Sequence, residues 1–315
     1  MKKIIYTISI ALLLIIAFSL LTDNRQRTKA KMGTFVTVKL FGFKWYDFNS
    51  AFEKAFSSID DVDNIANMYE ADSEVSRLNR AASEEPVKVS NGLFLLIKDS
   101  KAMYKDSAGS FDITVAPLVE LWMPYAGRDS IPAKEAVEKT LSLIGSDNII
   151  LDEEEQSVFF KKKGMKIDLS AIAKGYAVDK AIEAIKACGF NSALVNAGGD
   201  ISCLGRKDFF FLWRIGIQDP RNKDRLFKVL RILDKAVATS GGYEQYFAYK
   251  NKDYTHLIHP KTGYPVESVF SSTTVIANRC FLADAVATAV SVGGREVSDR
   301  LKRLYPDIEI IQIFS

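Results

Sequence analysis

The chain has 315 residues, of which 48% are hydrophobic and 26% are charged, a composition that excludes a disordered or collagen-like protein. The formal net charge is +3, but residues 1–30 carry five basic side chains and one acidic side chain, which leaves −1 for the rest. A nearly neutral body lacks the basic surface that nucleic-acid binding requires, so nucleic acid is not an expected partner.

The first 30 residues have the features of a targeting segment. Lys2 and Lys3 precede an almost unbroken apolar run of 18 residues, 4–21, and a polar stretch follows it at 22–31. The run approaches membrane-spanning length and no small-x-small cleavage site follows it, so a cleaved signal peptide and an uncleaved membrane anchor both stay open. We assign residues 1–30 to this leader and 31–315 to the folded domain, and we expect an exported protein on the periplasmic side of the inner membrane.

Hydrophobic periodicity predicts helices and strands along the whole folded domain. The first half is predicted to contain a strand at 34–41, helices at 47–62, 92–105 and 133–143, a hairpin of 148–151 with 157–161, and a helix at 172–187 capped by Asp168 or Ser170. The second half is predicted to contain strands at 192–196, 209–217, 228–233, 237–239, 271–276 and 308–314, and helices at 282–292 and 296–304. Helices and strands intermix without a strict βαβ repeat, so the predicted fold class is α+β.

Asp284 and Thr288 lie four residues apart on a predicted helix, which places the carboxylate and the hydroxyl on one face. Both groups offer hard oxygen atoms, which suit Mg²⁺ better than Zn²⁺. Surface or capping roles are the alternative interpretation of such a pair.

A second motif, residues 168–175, begins at Asp168 where a strand passes into a helix. Backbone N–H groups at a helix start, with Lys174 nearby, can bind phosphate, although a simple helix cap needs the same residue types. The turn 196–200 contains two adjacent glycines, which allow close approach of a ligand or only a tight turn. It is not GxGxxG, so a nicotinamide site is disfavoured.

The only two histidines, His256 and His259, precede a Pro/Gly turn. No convincing third or fourth ligand lies near them, so a zinc site is not expected. An imidazole with a pKa near ~6.5 can accept a proton from a hydroxyl group, so one of them is a candidate general base. Glycine-containing loops at 109–114 and 237–243 lack the GxSxG pattern of a serine hydrolase.

Together and in this order, these segments resemble the signatures of the ApbE family, the FAD:protein FMN transferases. The resemblance runs from about Met32 to the C-terminus. Its segments are 32–34, Tyr69 with 72–79, 109–115, 168–175, 195–200, 237–243, 256–265 and 283–288.

The resemblance implies an ApbE-like fold of two intimately packed subdomains and a flavin site. The residues implied to contact FAD are Met32, Tyr69, Ser110, Phe111, Asp112, Asp168, Lys174 and Ile258. The implied Mg²⁺ ligands are the backbone carbonyl of Ala171 and the side chains of Asp284 and Thr288. His256 matches the histidine of the family pattern and is the implied catalytic base, whereas His259 stands where the family often has Asp.

The implied reaction cleaves FAD to AMP and links FMN by a phosphoester bond to a Thr or Ser hydroxyl of another exported protein. Family members modify flavoprotein subunits of membrane redox complexes at segments that contain a Gly-Ala step. This sequence contains no Gly-Ala step, so it is expected to act in trans. The alternatives are an FAD pyrophosphatase, in which water replaces the protein hydroxyl, and a non-catalytic FAD-binding module.

Overall fold

The computed structural model describes residues 20–125, 130–241, 246–249, 252–255, 257–266 and 270–314. The α-helices in these ranges are α1 (Phe48–Ala66), α2 (Glu74–Ala81), α3 (Asn91–Asp106), α4 (Ala116–Trp122), α5 (Lys134–Leu141), α6 (Ser170–Ala187) and α7 (Cys280–Leu304). The β-strands are β1 (Thr22–Lys31), β2 (Thr34–Phe43), β3 (Val87–Lys88), β4 (Ile149–Asp152), β5 (Ser157–Phe160), β6 (Ala193–Ala197), β7 (Asp200–Leu204), β8 (Trp213–Asp219), β9 (Asn222–Ile232), β10 (Ala236–Gly241), β11 (Tyr246–Tyr249), β12 (Lys252–Thr255), β13 (Phe270–Ala277) and β14 (Glu309–Phe314).

The largest sheet has seven strands in the order β1-β2-β6-β7-β10-β13-β14, and every neighbouring pair is antiparallel. Three smaller sheets accompany it: β3-β5-β4, β8-β9 and β11-β12. Antiparallel sheets combined with helices confirm the predicted α+β class. The predicted hairpin is also confirmed, because β4 pairs with β5 from Ile149 to Asp152.

The two faces of the large sheet pack against different layers because side chains alternate along each strand. On β6, Val195 and Ala197 belong to the main core, which also includes the buried faces of α1, α6 and α7. Leu194 points to the other face, where Trp213 and Ile215 of the β8-β9 ribbon cover the sheet. The sheet is therefore enclosed between a helical layer and a two-stranded ribbon.

β1 is an edge strand that the sequence pattern did not predict. It pairs with β2 along its whole length, from Thr22 opposite Phe43 to Lys31 opposite Thr34. Residues 22–30, assigned above to the leader, therefore belong to the sheet. The pattern was uninformative because the alternating residues of β1 are charged rather than apolar.

These charged residues lie over the aromatic side of α1. Every second residue of β1 lies about 6.7 Å further along the strand, and every fourth residue of α1 lies about 6 Å further along the helix. Because these spacings nearly match, the basic residues of β1 stay opposite the aromatic residues of α1. The resulting pairs are Arg25 over Phe48 at 4.7 Å, Arg27 over Phe52 at 4.8 Å, Lys29 over Phe56 at 4.7 Å and Lys31 with Asp60 at 2.5 Å. Each cation–π contact at such an exposed position contributes about 0.5–1 kcal/mol, so the row ties β1 to the helical layer.

Two further elements differ informatively from their predictions. The predicted helices 282–292 and 296–304 form one element, α7, whose path is interrupted at Gly294 (φ 69°, ψ −152°). The strand predicted from residue 209 begins only at Trp213, because the Asp208 carboxylate accepts the N–H groups of Phe210 and Phe211 and folds that stretch into a turn. In the part of the chain that the structure describes, every helix is too short or too polar to cross a membrane.

Candidate active site

The N-terminal half of α6 packs against the start of α7 in antiparallel orientation. Asp179 accepts hydrogen bonds from the N–H groups of Cys280 (2.8 Å) and Phe281 (3.1 Å) and thereby caps α7 from a neighbouring helix. One turn earlier on α6 and one turn later on α7, the N–H of Gly175 donates to Oδ2 of Asp284 at 3.1 Å. The two contacts define the register between the helices.

The same register relates the positions of the three predicted metal ligands on the two helices. One further turn along each helix leads from Gly175 to Ala171 and from Asp284 to Thr288, so this register predicts that Ala171 and Thr288 lie opposite each other. In a regular α-helix the Gly175 N–H donates to the carbonyl of Ala171, and Asp284 competes for this donor. The Ala171 oxygen is therefore the third candidate ligand atom.

The donor set fits a hard divalent cation. Ala171 would contribute a carbonyl, Asp284 a carboxylate and Thr288 a hydroxyl, all of which are oxygen ligands of the type that Mg²⁺ binds. Within the described residues no cluster of three or more His, Cys, Asp or Glu side chains could hold a metal ion. A metal at this position would therefore depend on the carbonyl and the hydroxyl as well as on the one carboxylate.

Gly175 is required for the close approach of the two helices. A Cβ atom at this position would lie 2.6 Å from the Cys280 carbonyl oxygen and 2.9 Å from Cβ of Asp284. Both distances are shorter than real Cβ contacts, so any larger residue would push α7 away from α6.

A buried charge cluster surrounds this contact. Nζ of Lys174 pairs with Oδ2 of Asp200 at 2.5 Å, and the Asp200 side chain is only 2% exposed. The charge of Asp284 is the largest cause of the raised pKa of Lys174, followed among the carboxylates by Asp200. Two carboxylates thus share one ammonium group, and the remaining negative charge suits a cation.

Burial raises the pKa of Asp284, and the neighbouring Asp200 charge adds to this effect, while Lys174 opposes it. Burial thus makes the ionised form of Asp284 costly unless positive charge lies beside it, and the Lys174 ammonium supplies part of that charge. The ion pair with Asp200 keeps Lys174 charged in either state of Asp284. A bound divalent cation would favour the ionised carboxylate.

A cleft of about 290 Å³ lies beside the start of α6. Its lining residues are Met68, Tyr69, Ala71, Ser76, Asn79, Arg80, Glu120 and Lys166. Asn79 joins the cleft to the strand-to-helix junction, because its amide donates to the carbonyl of Ile167 (2.9 Å) and accepts from the Ile167 N–H (2.8 Å). The segment that leads into Asp168 is thereby fixed against α2.

Tyr69 and Asp168 are neighbours at this cleft. The Tyr69 side chain is 65% exposed, yet partial desolvation of its hydroxyl and the nearby Asp168 charge raise its pKa. Asp168 is buried, accepts the N–H of Ser170 at 2.8 Å, and donates its own N–H to the carbonyl of Ile113 at 2.7 Å. Asp168 thus binds the first turn of α6, as predicted, although the residue at the cap position is Leu169.

The loop at Ser110–Asp112 contributes mainly structural side chains. Ser110 lies against α7, since a Cβ on Gly293 would be 2.5 Å from its Oγ. Phe111 is 2% exposed and belongs to the main core. Oδ1 of Asp112 accepts from the N–H and hydroxyl of Thr114 and from the hydroxyl of Ser146. Contacts of Phe111 and Asp112 with a ligand would therefore involve their backbone.

Met32 lies in the turn between β1 and β2, and Ile258 pairs with Pro265 in an isolated β-bridge. Met32 has a left-handed backbone (φ 51°), and the adjacent Thr34 contacts the Gly198 turn that precedes Asp200. Ile258 is buried in a separate apolar cluster with Trp122 of α4. His256 lies outside the described residues, so its predicted role stays a prediction.

Three residues of the site were not assigned roles from sequence. Asp179 is a buried carboxylate within α6 and Asp200 is the buried first residue of β7, and acidic residues next to apolar ones are the signal that could have indicated buried partners. Asn79 lies in a segment of the family pattern, but its partner, Ile167, is 88 residues away. These contacts depend on tertiary packing.

Comparisons with known proteins agree with this architecture. The chain is 32% identical over 296 residues to an FAD:protein FMN transferase of Klebsiella pneumoniae (strain 342), which covers 92% of this chain and 90% of that protein. It is 30% identical over 304 residues to the protein of the same name from Treponema pallidum (strain Nichols), which covers 92% and 84%.

Solved structures of ApbE proteins are also similar to this chain. The ApbE protein of Thermotoga maritima superposes with a TM-score of 0.84 at 30% identity, and the flavin transferase ApbE of Vibrio cholerae with 0.83 at 27%; each match covers 93% of this chain and 94% of the other. The sequence model of the ApbE family matches residues 32–311. The chain therefore belongs to the ApbE family.

Proposed function

We propose that this protein is a Mg²⁺-dependent FAD:protein FMN transferase that links FMN by a phosphoester bond to a Thr or Ser hydroxyl of exported flavoprotein subunits. The observation that carries the proposal is the register of α6 and α7, in which the Gly175 N–H donates to Asp284 and the Asp284 charge acts on Lys174. The names of the relatives from K. pneumoniae and T. pallidum support the same reaction.

Different residues of the site would bind the flavin and the pyrophosphate of FAD. Tyr69 and the cleft around it offer a surface for the flavin, and Lys174 offers a positive charge for the pyrophosphate. Ala171, Asp284 and Thr288 would hold Mg²⁺, which would supply charge neutralisation for the pyrophosphate. Asp200 keeps Lys174 protonated and fixes the position of its ammonium group.

In the proposed reaction the acceptor hydroxyl loses its proton to His256 and attacks the phosphorus on the FMN side. A new O–P bond forms, the P–O bond to the bridging oxygen breaks, and AMP leaves with that oxygen. With water as the nucleophile, the same site would release free FMN and AMP.

The location of the protein is part of the proposal. The apolar run 4–21 would export the chain and hold it at the periplasmic face of the inner membrane, near acceptor subunits of membrane redox complexes. Residues 1–19 of this leader lie outside the described residues.

The decisive experiment incubates the purified full-length protein with FAD, Mg²⁺ and membranes from cells that lack the gene. Flavin fluorescence that remains on a membrane protein after denaturing electrophoresis is the expected result, and a chelator should abolish it. Rapid release of FMN and AMP with no protein-bound flavin would replace the transferase by an FAD pyrophosphatase, and intact FAD would indicate a non-catalytic binding module.

The metal assignment has its own test. Asp284→Asn keeps the shape of the side chain but removes the anionic ligand, so we expect transfer to be lost. Asp219→Asn is the control, because Asp219 accepts a hydrogen bond from Nε of Arg221 (3.0 Å) in the β8-β9 ribbon, on the other face of the sheet from α6 and α7. Unchanged transfer by Asp284→Asn would show that the metal assignment is wrong.

A further inference from the structure

An exposed aromatic patch lies at one end of the large sheet, and no step of the proposed reaction uses it. Its members, here called the aromatic patch, are Phe43, Trp45, Phe209, Phe210 and Phe211. Trp45, Phe210 and Phe211 are 65%, 63% and 65% exposed, and Phe209 is 48% exposed. Exposed aromatic groups gathered in one place indicate an interaction surface.

The patch is a built structure and not a loose loop. Asp208 accepts the N–H groups of Phe210 and Phe211, each at 2.9 Å, and the Lys207 N–H donates to the Phe211 carbonyl at 3.0 Å. The hydroxyl of Ser192 fastens the base of this turn by donating to the Arg206 carbonyl. Three consecutive phenylalanines are thus displayed on a closed turn.

Ring contacts join this turn to the end of β2. Phe43 stacks on Trp45 with 4.4 Å between the ring centroids, and Phe209 lies 5.4 Å from Phe41 and 6.3 Å from Phe43. A groove of about 260 Å³ runs between the two segments, lined in part by Tyr46.

The apolar leader reaches the folded domain at the same place. The Leu21 carbonyl accepts the N–H of Lys44, between Phe43 and Trp45, and Thr22 pairs with Phe43 as the first residue of β1. No linker separates the apolar run 4–21 from the sheet. A bilayer that contains this run therefore meets the domain at the aromatic patch.

The composition of the patch suits a lipid surface. Aromatic side chains concentrate at the boundary between the acyl chains and the headgroups, and basic side chains beside them attract anionic headgroups. Lys44 lies within the patch sequence, and the exposed Arg206 and Lys207 precede its phenylalanines.

We propose that the aromatic patch inserts into the outer leaflet of the same bilayer that holds the leader, so that the domain is docked on the membrane and not merely tethered to it. This inference rests on the proposed membrane anchor but not on the chemistry of the site. β2 leads from the Met32 turn and Thr34 at the site to Phe43 at the patch, a distance of about 30 Å at ~3.3 Å per residue. The length of β2 is therefore the upper limit of the distance between the site and the bilayer in the docked protein.

Trp45 provides a direct probe, because the other two tryptophans, Trp122 and Trp213, are only 2% and 4% exposed. The full-length protein is reconstituted into vesicles of phosphatidylcholine and phosphatidylglycerol whose acyl chains carry bromine, which quenches tryptophan on contact. A Trp45→Phe variant gives the emission of the two buried tryptophans. We expect the lipid to quench most of the emission that is due to Trp45.

The double variant Phe210→Ser/Phe211→Ser should lose most of this quenching. Phe35→Ser is the matched control, since Phe35 is 73% exposed on the same strand but at its opposite end, and its quenching should equal that of the wild type. FMN transfer measured on the same samples tests the proposed function separately. Absence of transfer would contradict the proposed function but not the contact between the aromatic patch and lipid.

Unquenched Trp45 emission, with the leader resisting alkaline extraction, would overturn the proposal. Protection of Trp45 from aqueous iodide would then indicate that the leader, a second copy or another protein covers the patch, and accessibility to iodide would indicate a free surface. Release of the protein by alkali would show that the leader is not a membrane anchor, and it would refute the docking proposal as well.

Discussion

Replacing Gly175 with alanine tests whether the contact between α6 and α7 controls the site. The added Cβ would lie 2.6 Å from the Cys280 carbonyl oxygen, whereas ordinary contacts begin at 3.4 Å, so the helices must separate by about 0.8 Å. Overpacking of this kind costs about 1–3 kcal/mol, and the better helix propensity of alanine returns about 1 kcal/mol. We therefore expect a net loss of stability of ~0–2 kcal/mol.

The expected effect of Gly175→Ala on activity is much larger. A displacement of about 1 Å in a catalytic constellation can lower the rate ~100-fold, and this substitution moves Asp284 and Thr288 away from Ala171. The rate of FMN transfer is measured on denaturing gels, and urea unfolding measures stability. The expected signature is a folded protein that has lost most of its activity.

Gly92→Ala is the matched control for this experiment. Gly92 also lies in a helix, α3, and its nearest neighbour would be the flexible tip of Ile65 at 3.0 Å. This variant should keep full activity and lose no stability. Wild-type transfer by Gly175→Ala would refute the argument that the close helix contact positions the metal ligands.

Three further changes test the buried charges and the turn histidine. Asp179→Ala removes two hydrogen-bond acceptors and a carboxylate from the start of α7, so urea unfolding should show a loss of ~1–2 kcal/mol. Lys174→Met leaves two buried carboxylates without their cation. Because Lys174 is 35% exposed, the free energy of unfolding should fall by less than the ~3–5 kcal/mol of a fully buried pair. Added Mg²⁺ should restore part of this stability. Burial and Lys261 lower the pKa of His259 below 6.5 in the folded protein. The unfolded chain therefore binds more protons than the folded chain below pH 6.5, and the wild type loses stability as the pH falls. His259→Asn should reduce this loss.

Each of these predictions has a contradicting result. Unchanged unfolding of Asp179→Ala would mean that α7 needs no cap from α6. A Lys174→Met variant that gains no more stability from Mg²⁺ than the wild type would argue against a cation beside Asp200 and Asp284. Identical pH profiles for wild type and His259→Asn would show that His259 does not titrate differently in the folded state; Asn keeps the turn because its side chain can accept the Lys261 N–H that Nδ1 accepts now.

The sequence was sufficient to predict the local elements around the site but not their contacts. The spacing of Asp284 and Thr288 predicted one shared helix face, and α7 contains both. The partner of Lys174 could not be predicted, because Asp200 reaches it only through the β6-β7 turn. β1 was missed for a similar reason: its charged residues match the aromatic residues of α1, and strand periodicity alone does not show that partnership.

A single strand connects the two proposals about this protein. β2 is hydrogen-bonded to β1 on one side and to β6 on the other, so its length is a fixed distance within the sheet. The Gly198 turn and Asp200 lie at its beginning, and the aromatic patch and the leader lie at its end. With the patch on the bilayer, the distance between membrane and site is set by the sheet and not by a flexible linker. An acceptor hydroxyl would then meet the site at a height of up to about 30 Å above the membrane surface, which favours acceptor segments on domains that extend from the bilayer.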